Sequence, residues 1–191
     1  MKNPLYKGIK IIHELDVIPL IKKIIGKFDP ELIIEVGTAH GGLTLVFHEA
    51  CPKAQVHTFD PIRTITSSPL FGKNVHYYKE DAFKSKAMIK LCKSDKKKFL
   101  FCDGFDKKKE LLTFTPLLNS GDMVGVHDYP SRLWRDWERG KCDVNKIERV
   151  FHPDIVKLLE GLTPLEENKI FEKLQEDSGQ LNAYGDRYWI K

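Results

Sequence analysis

Glu35, Gly37, the Gly41-Gly42 pair and Thr44 stand in one stretch, Glu-Val-Gly-Thr-Ala-His-Gly-Gly-Leu-Thr over residues 35–44, whose residue types suit the binding of a polar ligand. Glycines let the backbone reverse sharply and leave room for a bound group against the next helix, where unpaired N–H groups point outward. A carboxylate at the mouth of an apolar strand is costly unless it reaches water or holds a ligand. Asp60 follows Gly37 by 23 residues, near the interval at which nucleotide-binding folds place an acid that accepts from ribose hydroxyls. A turn or capping aspartate before Pro61 is the other reading of that residue.

These residues need a strand, a turn and a helix to position them. The apolar run Leu32, Ile33, Ile34 and Val36 reads as a buried parallel strand, and residues 43–50 read as the helix after the turn. Further strands are expected over residues 54–59, 74–78, 99–102 and 123–126, with helices running to Cys92 and over residues 110–118. Alternating strands and helices of this kind build a parallel sheet with helices on both faces. Residues 8–27 carry isoleucines and leucines near helical spacing and are expected to form one or two capping helices within an N-terminal segment 1–28. Residues 145–161 read as helix, and residues 169–174 and 183–190 as a closing antiparallel pair of strands.

The pattern Glu35-x-Gly37-x-x-x-Gly41-Gly42-x-Thr44 resembles the first motif of class I S-adenosylmethionine (SAM) dependent methyltransferases. A dinucleotide fingerprint would want a glycine where Ala39 stands. The resemblance implies a Rossmann-like class I methyltransferase fold: one α/β domain over residues 1–191, a seven-stranded, mostly parallel sheet and a C-terminal antiparallel hairpin. It implies that Glu35, Gly37, Thr38, Gly41, Gly42, Asp60, Asp81 and Asp103 bind the cofactor, with Glu35 near the methionine amino group, Asp60 on the ribose and Asp81 near the adenine. Asp81 is also a candidate N-cap for the helix that ends at Cys92.

The arrangement of strand, Asp103-Gly104, helix, Leu-Leu-x-x-Gly, strand and His127-Asp128-Tyr129 is similar to a metal-dependent branch of that family, which includes small O-methyltransferases and cephalosporin-hydroxylase-like relatives. On this resemblance Asp103, His127 and Asp128 hold a divalent cation, Mg²⁺ or Mn²⁺, and Asp103, Asp106 and His127 are the catalytic residues. Two carboxylates facing one crevice repel unless a cation sits between them. A histidine among the ligands moves preference towards Mn²⁺, Fe²⁺ or Zn²⁺. Asp106 stands where sugar-modifying relatives often carry a histidine base, so metal would have to activate the acceptor; Lys107, within a lysine run, is expected to face solvent. Residues 130–165 are expected to hold an acceptor-site lid, with Trp134 and Trp137 on one helical face.

The reaction implied is O-methylation of a small-molecule hydroxyl. Three rivals stay open: a nucleotide-binding module without turnover, an NAD-dependent oxidoreductase on a similar scaffold, and a metal-independent methyltransferase with His127 as base and Asp103 as its orienter. A net charge of +4, with lysine clusters that interleave with no aromatic platform, argues against a nucleic-acid partner. No apolar run approaches membrane-spanning length, and residues 1–6 lack a signal peptide's apolar core, so the cytoplasm is the expected compartment. A homodimer is compatible with this reading. Cys51, Cys92, Cys102 and Cys142 show no Cys-x-x-Cys spacing and read as buried thiols rather than a zinc site.

Overall fold

Apolar spacing, glycine turns and short connections resolve into alternating strands and helices in the structure, a computed structural model that describes residues 4–62, 71–127, 153–178 and 186–191. A small hairpin comes first, β1 (Leu5–Tyr6) and β2 (Ile9–Lys10), then a 3₁₀ turn (Leu15–Val17) and α1 (Ile18–Phe28). The expected capping helices over residues 8–27 are therefore one helix preceded by a hairpin. Lys7 and Gly8 both take positive φ at its tip, which a continuous helix could not accommodate. In α1, Ile18, Ile21, Ile24 and Ile25 are buried, the stripe that the spacing implied.

The remaining elements are β3 (Leu32–Val36), α2 (Gly42–Ala50), β4 (Gln55–Phe59), β5 (Val75–Tyr78), α3 (Lys86–Cys92), β6 (Lys98–Cys102), α4 (Lys107–Phe114), β7 (Met123–Val126), α5 (Pro153–Glu160), β8 (Thr163–Pro164), α6 (Asn168–Ser178) and β9 (Arg187–Ile190). Seven strands form one sheet in the order β5-β4-β3-β6-β7-β9-β8. β3 to β7 are parallel, and β9 runs antiparallel between β7 and β8. The chain leaves β3 in one direction to β4 and β5, then returns to β6 on the other side of β3. That reversal opens a crevice at the carboxyl ends of β3 and β6, where open parallel sheets bind ligands.

All five residues of β3 and of β6 are buried, because both sheet faces are covered. One face carries a core that includes Ile21, Ile25, Ile33, Phe47, Phe101 and Phe171. The other carries Ile34, Met88, Leu100, Leu111, Phe114 and Val124. The hairpin is tied to α2 through Glu49, which accepts from the Tyr6 hydroxyl at 2.6 Å and from the Lys7 and Lys22 ammonium groups at 2.5 Å.

The expected strand over residues 169–174 is corrected: these residues lie in α6. Phe171 is fully buried and Leu174 packs on the same core while Ile170 is exposed, a helical period and not the alternation of a strand. The strand that pairs with β9 is the two-residue β8 instead. Asn168 extends that edge with its side chain, its amide accepting from Tyr188 N at 2.9 Å and donating to Tyr188 O at 2.7 Å. Cys51, Cys92 and Cys102 are free and buried; Cys142 lies outside the described residues. Among the described residues, no helix is long and apolar enough to cross a membrane.

Candidate functional site

The turn after β3 is built by glycines with different jobs. Gly37 has φ +94°, and a Cβ there would lie 2.6 Å from Asp103 C and 2.8 Å from Gly104 N. Its freedom is used to let the end of β6 approach the turn. Gly41 takes φ +85° as the residue before α2. Gly42 is different: a Cβ on it would sit 2.7 Å from Ile11 Cβ, so its smallness seats the chain's own N-terminal segment. Ala39, where a dinucleotide fingerprint would have glycine, still adopts φ +46°. Its N–H donates to Asp60 Oδ2 at 2.9 Å, and Ile62 N–H donates to Asp60 Oδ1 at 2.8 Å. Asp60 thus ties the turn to the end of β4.

Glu35 lies behind this turn with no exposure. It accepts from the Thr44 hydroxyl at 2.5 Å, while its other oxygen makes no hydrogen bond of good geometry. Burial pushes its carboxyl up to about 8, against the Thr44 and Thr58 hydroxyls, which favour the charged form. Thr58 in turn shares a 2.5 Å hydrogen bond with Thr38, which lines the hollow beside the turn. A native carboxyl titrating near 8 keeps a proton that the unfolded chain gives up near 4.5, so folding stability falls as pH rises through that window. Glu35→Gln, which leaves an acceptor for Thr44, should remove this slope of roughly 1.4 kcal/mol per pH unit and be more stable than the parent at pH 8. Urea unfolding of both proteins between pH 5 and 8 reads it; parallel curves would mean that Glu35 is ionised in the native state.

The remaining predicted acids are spread around the crevice. Asp81 accepts from Phe83 N–H at 2.9 Å, but the N-cap of α3 is Ser85, which accepts from Met88 N–H at 3.2 Å. Asp103 follows β6, largely buried, with Lys107 Nζ 3.5 Å from its Oδ1. Lys107 is folded back and not solvated as the lysine run suggested: its side chain is 13% exposed and it donates to Gly104 O at 3.1 Å. Asp106 is exposed and serves as the N-cap of α4, accepting from Lys109 N–H at 3.0 Å. Glu110, which the sequence reading passed over as part of a helix, is buried and accepts from Gly104 N–H and Asp106 N–H at 3.1 and 3.2 Å. Burial pushes it up to about 7, partly offset by those N–H groups and by Lys107. It fixes the loop that carries Asp103.

His127 follows β7 as Asp103 follows β6. The two come directly after the paired residues Cys102 and Val126, and so stand at adjacent strand ends. His127 is buried, and Asp186 lies against its Nδ1 at 2.9 Å; the metal-independent alternative had named Asp103 as its orienter. His13 packs against the same pair, its Nε2 3.3 Å from Asp186 Oδ1 and its ring centroid 4.0 Å from that of His127. Burial works to raise Asp186, but the two imidazoles hold its carboxyl well below the usual range. Neither His13 nor Asp186 was singled out from the sequence. The only signal was an acid directly before the apolar run of β9. Asp128 and the lid residues 130–152 lie outside the described residues.

Gly37, Thr38, Asp103, His13 and His40 line one hollow between the turn and residues 10–13. The turn therefore meets the strand-end acid and one imidazole of the buried cluster at a single place, directly above the N-terminus of α2.

The strand order, the reversal at β3 and β6 and the antiparallel β9 define the Rossmann-like fold of class I methyltransferases. Comparison with solved structures agrees. A CmcI structure without ligand superposes over 98% of this chain and 76% of its own with TM-score 0.65 at 12% identity, and CmcI with Mg and SAM over 98% and 77% with TM-score 0.64 at 12% identity. An O-methyltransferase from Bacillus cereus in complex with SAH matches over 93% of this chain and 82% of its own, with TM-score 0.57 and 16% identity. No protein-family model and no curated protein matches the sequence.

Proposed function

We propose that this chain is a SAM-dependent methyltransferase that methylates a hydroxyl of a small molecule, with a divalent cation at the acceptor site. The observation that carries the reading is the glycine turn at the sheet's reversal point, held by Asp60 and backed by the incompletely bonded Glu35 carboxyl. The solved neighbours described as O-methyltransferases, among them complexes with SAM and SAH, and CmcI with Mg and SAM, support it.

The residues present fit such a cofactor. Asp60 would accept from the ribose hydroxyls, its oxygens keeping lone pairs beyond those given to Ala39 and Ile62. Asp81 would stand by the adenine. Glu35 would face the ammonium of the methionine end across Thr38 and Thr58. SAM, when bound, would supply an electrophilic methyl group on a sulfonium, with the thioether as the leaving group. What the chain contributes is alignment of that oxygen and removal of its proton. Asp103, at the wall of the hollow, would orient the acceptor, with Lys107 balancing its charge. Asp103, His127 and Asp128 are the ligands that the sequence resemblance assigns to the cation, whose contribution is to acidify the bound hydroxyl. Asp106 caps α4 by accepting from Lys109 N–H, and this reading assigns the activation of the acceptor to the cation. Residues 130–165 would cover the acceptor, within one domain acting in the cytoplasm.

Calorimetric titration with SAM and separately with NADH, each with and without Mg²⁺ or Mn²⁺, tests the reading. Micromolar SAM binding without an NADH response is expected; an NADH response alone would establish an oxidoreductase. Asp60→Asn, which keeps an acceptor for the Ala39 N–H, should weaken SAM binding by about tenfold. Unchanged affinity would take Asp60 out of the ribose site.

A further inference from the structure

His13, His127 and Asp186 reach one point from three distant parts of the chain: the segment after the N-terminal hairpin, the end of β7 and the start of β9. Their exposures are 6% or less. Asp186 Oδ1 lies 2.9 Å from His127 Nδ1 and 3.3 Å from His13 Nε2, and one donor atom from each residue lies within 4.8 Å of the others. Asp103 is not a member of this group.

Asp186 Oδ1 shares a hydrogen bond with His127 Nδ1 at 2.9 Å, and His13 Nε2, buried and 3.3 Å from the same oxygen, lies outside good hydrogen-bond geometry. Donor atoms at these separations suit a shared ion. Ligands roughly 2.1 Å from a metal, at angles of roughly 90–110°, are themselves about 3.0–3.4 Å apart. The contacts of Asp186 with the two imidazoles fall close to that spacing.

We propose that His13, His127 and Asp186 form a binding centre for a first-row transition ion of the Mn²⁺, Fe²⁺ or Zn²⁺ class. Two imidazoles and one carboxylate are a donor set for such ions and a poor one for Mg²⁺, which prefers oxygen and retains its water. Three protein ligands leave coordination positions open, and His13 also lines the hollow that holds Gly37, Thr38 and Asp103. An ion there would meet an acceptor oxygen entering beside the turn. The centre shares His127 with the proposed methyl-transfer site, but it stands on the cluster alone and needs no cofactor.

The test is therefore run without SAM. Full-length protein stripped with chelator is dialysed against Mn²⁺, Zn²⁺ or Mg²⁺, and bound metal is counted by mass spectrometry. One Mn²⁺ or Zn²⁺ per chain is expected, with Mg²⁺ at least 100-fold weaker. His13→Ala and Asp186→Asn should each lower Mn²⁺ affinity by about 100-fold. Pulsed electron paramagnetic resonance of the Mn²⁺-loaded parent supplies a readout that survives if a variant fails to fold, and two imidazole nitrogens coupled to the ion are expected. Absence of stoichiometric binding, equal affinity for Mg²⁺, indifference of a folded His13→Ala protein, or no coupled nitrogen would each overturn the proposal. Metal binding without any SAM binding would leave this centre standing and remove the methyltransferase reading.

Discussion

Gly37→Ala should cost the protein several kcal/mol of stability and at least 100-fold in SAM affinity. The backbone at this position has φ +94°, where an L side chain is strained by about 1 kcal/mol or more. The larger penalty is steric. The new methyl would meet Asp103 C and Gly104 N at 2.6 and 2.8 Å, and both are backbone atoms at the end of a fully buried strand. Neither yields without moving β6 away from β3. That movement would pull Asp103 from the hollow and break the Asp103 N–H to Val36 O hydrogen bond of 2.9 Å. Urea unfolding reads the first effect and calorimetric titration the second. A Gly37→Ala protein that is folded and binds SAM as the parent does would show that the turn is not the cofactor's seat.

Asp122→Ala should be similarly destabilising, by about 3–5 kcal/mol, while leaving SAM affinity of the folded protein unchanged. Lys98 is fully buried at the start of β6, and its ammonium donates to Asp122 Oδ2 at 2.6 Å. The same carboxylate accepts from Lys98 N–H at 3.0 Å and Asn119 N–H at 2.7 Å. Removing it strands a buried ammonium and two N–H groups together. Lys98→Met should cost less, because the buried carboxylate it leaves behind keeps two backbone N–H donors, whereas Asp122→Ala strands the ammonium. These residues sit at the amino ends of β6 and β7, the opposite end of the sheet from the crevice. Denaturant unfolding of both variants gives the comparison; equal losses would mean that the pair's charge is not what governs the site.

The two substitutions separate what was legible in the sequence from what was not. Gly37 was legible because a strand, a glycine and an amphipathic helix are neighbours in the chain, and Asp60 because its interval from that glycine is set by one helix and one connection. The Asp103-Gly104 turn followed from the same local grammar. The Lys98–Asp122 pair was not legible. In the sequence Lys98 ends a lysine run that reads as a solvated face, and only the pairing of β6 with β7 turns it inward. Lys107 was misjudged for a different reason: it folds back onto Gly104 O and Asp103, which lie just before it in the chain. Residues 169–174 were read as strand because a short apolar cluster looks alike in either state; burial of Phe171 and exposure of Ile170 decide for helix.

By itself, then, the sequence determined the alternation of strands and helices, the parallel sheet and the glycine turn with its acid on the next strand, because each depends on residues within one or two elements of each other. Tertiary structure alone decided which carboxylate faces His127, that His13 joins them, that Glu110 holds the Asp103 loop, and that Gly42 makes room for Ile11. The meeting of His13, His127 and Asp186 joins distant parts of the chain, and no local spacing encodes a contact that only the closing of the sheet brings about.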